Sequence, residues 1–371
     1  MRRALSFAPD AAVAVGDHVY WDLRSLPNAL FTGASQAACD AAGKFDRGRP
    51  VLGTPNEAVL KVAVGAQVAD LYGTLFQSVP VFFVRDDHDY FEDDRVTEEL
   101  VTFPADPFMV DLARSAQWLY YPEFLPDPWR PLDLPASSAS DRPRAVSEAF
   151  GTLRYGQLAE LLLYDCKGFV SLDGAAGRMV PATVESWLRA RMADPCQRHL
   201  VNVPSNPPGW SAGKYGEWYP DVVVNPGELT TAVPKDGWQT GWLAQHDRLL
   251  AAASAMPRLP LFLGGDIHSI AEERIVASGS LSFAANPIVS VITGTPGTGV
   301  GWPSLARQTL AMPPGALEVE EIVPVQEVNG FQLLDFEPDR VVIRHFRWYF
   351  GRESEEAIDT LEPFHVSEHL R

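Results

Sequence analysis

The sequence predicts an α/β fold. Three short apolar runs carry that expectation: Ala11 to Val15, Val79 to Val84 and Leu259 to Leu263 are too short for ordinary helices and suit buried strands. Each run opens at its C-terminal end into a loop rich in carboxylates. These loops are Gly16-Asp17, Asp86-Asp87-His88-Asp89 and Gly265-Asp266-Ile267-His268. Ligands gather at the carboxyl ends of strands in α/β sheets, so the three loops are expected to share one crevice.

The totals bound this reading. A chain of 371 residues, 46% hydrophobic and 21% charged, can bury one large core or two small ones. A net charge of -18 sets aside binding to a nucleic-acid backbone. Cys39, Cys166 and Cys196 lie too far apart for a disulfide framework or a zinc knuckle. No apolar run is long enough to span a bilayer. Met1-Arg2-Arg3 resembles the start of a secretion signal, but Pro9 and Asp10 break the apolar stretch that such a signal needs, so the chain as written reads as cytoplasmic.

Taken in order, residues 4–10 read as the tail of a helix and Ala11 to Val15 as the first strand. Glycines and prolines over 27–55 predict a loop with one short helix around Ser35 to Ala42. Val59, Val62, Val68, Leu71 and Leu75 give residues 56–76 the spacing of an amphipathic helix, followed by the strand at 80–84. Residues 91–147, rich in proline and aromatics, read as an ordered insertion, with Trp129 a candidate substrate wall. Strands are expected at 151–156, 158–164 and 200–203, and helices at 181–192 and 239–256. The loop Gly213 to Asp221, with Trp218, is a second candidate wall. Beyond it come strands at 288–293 and 319–326, a hairpin at 330–348 and an acidic surface tail. No clean linker interrupts the chain, so a single domain with one insertion is the economical reading.

Three carboxylates in four positions, Asp86, Asp87 and Asp89, repel one another unless a cation or bulk water screens them. A solvated loop tip and a cation site are therefore both open on that stretch alone. Three such loops in one crevice favour a cation. Ligand sets dominated by oxygen suit Ca²⁺, Mg²⁺, Mn²⁺ or Fe better than a thiolate zinc site.

Together, Gly16-Asp17-x-x-Tyr20, Asp86-Asp87-His88-Asp89-Tyr90 and Gly265-Asp266-Ile267-His268 resemble the alkaline phosphatase D-like (PhoD-like) branch of the calcineurin-type metallophosphatases. The resemblance extends to Arg154-Tyr155-Gly156, Asp165-Cys166-Lys167 and the hairpin at Gly330. It implies a four-layer α-β-β-α sandwich with mixed sheets and a metal-dependent phosphoric ester hydrolase acting on mono- or diesters, in small molecules or lipids. It also implies two or more metal ions, Fe³⁺ with Ca²⁺ first and Mn²⁺, Mg²⁺ or Zn²⁺ as alternatives. By the same resemblance Asp17 bridges the metals, Tyr20 binds Fe³⁺ as phenolate, and Asp87, Asp266, His268 and Asn206 are further ligands. His88 assists the leaving oxygen and Asp89 orients His88. Plainer parts stand beside these: Tyr20 as core, Asp86 and Asp89 as turn caps, Asn206 as a turn residue.

One departure stands out. The family has a strand ahead of Gly-Asp-x-x-Tyr that brings another ligand, and only fifteen residues precede Gly16. Either that strand is missing or the start is displaced, in which case secretion or a cell-envelope location stays open. Two other readings of the chain are kept: a metal-binding but silent homologue, and a hydrolase of sugars or peptides using paired carboxylates without metal.

Overall fold

Two layers of β-sheet pack face to face, with helices on the outer side of each. This computed structural model describes residues 1–20, 45–69, 72, 75–90, 104–121, 130–131, 134–135, 147–296 and 302–370. The predicted helix at 35–42 and Trp129 fall outside them.

The strands are β1 (Ala12–Val15), β2 (Val81–Val84), β3 (Phe150–Tyr155), β4 (Ala159–Tyr164), β5 (His199–Pro204), β6 (Val222–Asn225), β7 (Glu228–Thr230), β8 (Pro260–Gly264), β9 (Ile270–Ser278), β10 (Leu281–Ser282), β11 (Ile288–Thr293), β12 (Leu317–Gln326), β13 (Asn329–Phe336), β14 (Arg340–Trp348) and β15 (His365–Leu370). One layer is a mixed eight-stranded sheet in the order β10-β9-β11-β8-β5-β4-β3, with β12 also on β9. The other holds the parallel pair β1-β2 and the antiparallel sheet β13-β14-β15.

The period-two alternation of apolar strand residues builds the layers. Leu161 and Leu163 of β4, Val201 and Val203 of β5, and Leu261 and Leu263 of β8 meet Val13, Val15, Val84, Val341 and Ile343 between the sheets. The alternate residues Leu162, Leu200 and Phe262 face Trp187, Leu188, Trp242 and Leu249 of helices Ala182–Ala193 and Thr240–Ser254. On the other outer face Phe83 packs with Leu60, Val64, Met109 and Leu112 of helices Pro55–Val64 and Pro107–Tyr120. The four-layer α/β expectation is met.

Several local expectations are corrected. The helix expected over 56–76 is an α-helix over Pro55–Val64, widens into a π-helical stretch, Gly65–Ala69, and is α-helical again at Tyr72. Within the stretch read as a proline-rich insertion lies the helix Pro107–Tyr120. Asp106 caps it by accepting from Met109 N at 2.9 Å, and Pro107 supplies the fixed φ of a first turn. The acidic tail is exposed over Glu355 and Glu356 but ends in a strand, β15, and β9 was not expected because its centre carries Glu272 and Glu273.

Glu272 explains why a strand can bury such residues. Its Oε2 accepts from His345 Nε2 of β14 at 2.6 Å and from Ser367 Oγ of β15 at 2.7 Å, and its Oε1 accepts from His369 Nε2 at 2.6 Å. One buried carboxylate thus joins the large sheet to β14 and β15.

Among the described residues β1 pairs with β2 alone, and β13-β14-β15 is hydrogen-bonded to neither. The chain ahead of β1 leans on that third sheet through the Phe7 ring, 5.2 Å from Phe346, and on the segment before β15 through Arg3 Nε, which donates to Leu361 O at 2.8 Å.

Candidate metal centre

Two glycines let the strand ends converge. Gly16 holds φ at +78°, and a Cβ there would lie 2.8 Å from Asp86 Cβ. Gly265 sits against β1, where a Cβ would come within 2.5 Å of the Val15 carbonyl oxygen. Gly265→Ala is expected to cost about 1–3 kcal/mol through overpacking. A fall in the denaturation midpoint, together with weaker cation binding, would report it, and an unchanged midpoint would refute the close approach.

The backbone is strained where the motifs lie. Asp17, Asp266 and His268 hold φ at +55°, +70° and +48°, three of the five described non-glycine residues with positive φ. Such conformations persist where the surroundings impose them, often at functional sites.

Asp17, from the end of β1, meets Asp86 and Asp87, from the end of β2. One carboxylate oxygen of each lies within 4.8 Å of the others, and no other group of three or more His, Cys, Asp or Glu among the described residues does this. Oδ1 of Asp17 and both oxygens of Asp86 are buried and accept no hydrogen bond among the described residues. Burial raises the Asp86 carboxyl well above its usual range, although Lys167 opposes the shift. Leaving such atoms unsatisfied costs about 1–3 kcal/mol each, and a hard cation would supply the missing partner. The donor set fits one oxygen-liganded cation.

Opposite this trio two buried lysines enter. Lys214 Nζ lies 3.1 Å from Asp87 Oδ2 and is ion-paired with Asp266 Oδ1. Lys167 Nζ stands 3.9 Å from Asp86 Oδ1, 3.9 Å from Asp87 Oδ1 and 3.8 Å from Asp266 Oδ2. Burial pushes the Asp266 carboxyl up to about 6, with Lys214 and then Lys167 pulling the other way. The structure therefore places Asp266 between two ammonium groups.

The histidines flank the carboxylates. Tyr20 Oη donates to Asp17 Oδ2 at 2.9 Å and lies 2.9 Å from His268 Nε2, which is itself 3.4 Å from Asp17 Oδ2. His88 stacks on the Tyr20 ring with centroids 4.2 Å apart, and its Nε2 is 3.9 Å from Asp87 Oδ2. Asp89 Oδ1 accepts from His18 N and Val19 N, each at 3.1 Å, and Oδ2 accepts from Asp86 N at 3.0 Å. It thus ties the β1 loop to the β2 loop. Burial raises its carboxyl to about 8.

Asn206 Nδ2 donates to Gly216 O at 2.6 Å, and its buried Oδ1 accepts no hydrogen bond among the described residues. The loop carrying it touches the β8 loop through Gly265 N, which donates to Ser205 O at 3.1 Å. The expected wall residue Trp218 is 3% exposed and belongs to the core, its Nε1 directed at Asn206 O. Three participants were not read from the sequence: Asp86 as a member of the trio, Lys167 and Lys214. Lys167 was in view within Asp165-Cys166-Lys167. Lys214 lay in the loop taken for a substrate wall, and an isolated lysine gives no spacing by which to find it.

No protein family and no curated protein matches the sequence. Among solved structures the chain is similar to one titled "Structure of PhoD", with a TM-score of 0.52 and 12% identity over 97% of this chain and 67% of that one. At that identity the likeness shows the fold, which is PhoD-like.

Proposed function

We propose that this PhoD-like fold carries a cation-dependent phosphoric ester hydrolase. The observation that supports it is the trio of Asp17, Asp86 and Asp87 at the carboxyl ends of β1 and β2, in which Oδ1 of Asp17 and both oxygens of Asp86 accept no hydrogen bond among the described residues. A cation held there would act as a Lewis acid and offset the charge that builds on the phosphoryl oxygens. The chain's own residues do the rest. Tyr20 and His268 fix Asp17 through hydrogen bonds. The imidazole of His88, kept in place by the Tyr20 ring, is set to donate a proton to the leaving oxygen. Asp89 positions both loops through the backbone rather than touching substrate.

The oxygen donors suit Ca²⁺, Mg²⁺, Mn²⁺ or Fe³⁺. A ferric ion would draw in Tyr20 as phenolate and colour the protein violet, whereas Ca²⁺, Mg²⁺ or Zn²⁺ would leave it colourless.

The test is turnover of an aryl phosphate monoester and diester by the purified chain with Mn²⁺. Expected are hydrolysis of at least one, loss in chelator, and recovery on adding Mn²⁺ back. His88→Ala should lower kcat by about 10²- to 10⁴-fold while leaving cation content unchanged. Turnover that survives chelation would overturn the proposal in favour of metal-free hydrolysis. A bound cation with no turnover would instead favour the silent homologue, a reading that the lysines among the carboxylates also suit.

A further inference from the structure

We propose that Lys214, backed by Lys167, is a built-in second cation, so that this centre takes one metal ion where a dinuclear phosphoesterase takes two. The inference rests on the cation site just proposed but not on hydrolysis.

The carboxylates on the far side of the cluster face the lysines. Asp87 belongs to the trio, and its Oδ2 is in hydrogen-bond contact with Lys214 Nζ at 3.1 Å. Asp266 has an oxygen toward each lysine: Oδ1 is paired with Lys214, and Oδ2 lies 3.8 Å from Lys167 Nζ. Asp87 and Asp266, both expected as metal ligands, therefore already face positive charge. The side chains of Lys167 and Lys214 are 0% and 2% exposed, so water does not screen them. Burying an ammonium is costly unless carboxylates stay beside it, and a divalent ion admitted to the same place would be repelled by both.

Two independent segments deliver these ammoniums. Lys167 follows β4, where Asp165 Oδ1 accepts its backbone N–H at 2.8 Å. Lys214 lies in the loop after β5, braced by Glu217, which accepts from Ala212 N and from Ser211 Oγ. Each lysine is thus held by its own turn, which disfavours a chance rotamer. The ammoniums neutralise Asp87 and Asp266 permanently, and only the side of Asp17 and Asp86 is left open to an exchangeable ion.

The experiment counts metal. The apo chain, with Lys214→Ala and Lys214→Arg variants, is equilibrated with Mn²⁺. Bound Mn²⁺ per chain is measured by elemental analysis, and spin coupling by electron paramagnetic resonance. The unmodified chain should bind one Mn²⁺ with an uncoupled signal. Lys214→Ala should bind a second ion, and Lys214→Arg should stay at one. Two ions, or none, on the unmodified chain overturns the proposal whatever the variants do, so a variant that fails to fold does not shield it. A second ion on Lys214→Arg equal to that on Lys214→Ala also overturns it. One Mn²⁺ without phosphoester turnover would sink the hydrolase reading and leave this one standing. Two Mn²⁺ with turnover would do the reverse.

Discussion

Asp86→Asn should make the cation-free protein more stable while weakening its hold on a cation. Asp86 is fully buried, its oxygens accept no hydrogen bond among the described residues, and Asp266, Asp87 and Asp17 all crowd it with like charge. An amide of nearly the same shape never has to carry a charge in that buried place and gives the neighbouring carboxylates a donor. The cation-free midpoint should rise by about 2–4 °C. Cation affinity should fall by at least about 100-fold, since even the outer partners of metal ligands are worth 10- to 100-fold. Calorimetric titration with Mn²⁺ and thermal melts in chelator measure the two effects. A lower midpoint in chelator would mean that Asp86 is held by something other than a missing cation. The opposed signs are the mark of a group kept for binding at the expense of the fold.

Loss of the Glu272 carboxylate should be the costliest single change outside the centre. Glu272→Ala leaves His345, Ser367 and His369 facing a gap inside the protein, and breaking a buried charged pair costs about 3–5 kcal/mol. Glu272→Gln, which keeps the shape, should lose less. The pH dependence has a definite sign. Burial would raise this carboxyl, but the hydrogen bonds from His345 and His369 outweigh it and hold it at about 2 against an ordinary 4.5. A depressed carboxyl stabilises the fold above its unfolded value, and that contribution drains away as pH falls from about 4.5 towards about 2. At most it is about 3 kcal/mol. Urea melts at pH 5 and pH 3 should therefore differ more for the natural chain than for Glu272→Gln. Equal differences would remove Glu272 as the acid-sensitive group.

Much of this was legible beforehand. The apolar runs in β4, β5, β8 and β11 and the breaks after them locate the large sheet, because strands buried on both faces read as short apolar runs between turn residues. The convergence of Asp17, Asp87, His88 and His268 came from strand ends alone. Legibility failed where long-range partners decide. Glu272 and Glu273 look unfit for a buried strand until His345 and His369 arrive from some 70 to 100 residues away. Trp218 looks like a binding surface until the neighbouring loops cover it. Lys214 is invisible for the same reason, since its partners Asp87 and Asp266 come from other strands.

The pairing of β1 with β2 has one last consequence. Val15 lies opposite Val84 in a parallel ladder, and Gly16 N still donates to Val84 O at 2.7 Å, so the acids beyond them leave from adjoining rungs. Neighbouring strands stand about 4.8 Å apart, a gap set by peptide geometry and not by how side chains happen to fit. One carboxylate oxygen each of Asp17, Asp86 and Asp87 comes within 4.8 Å of the others at the end of that pair. The spacing of these acids is in this sense laid down by the main chain itself.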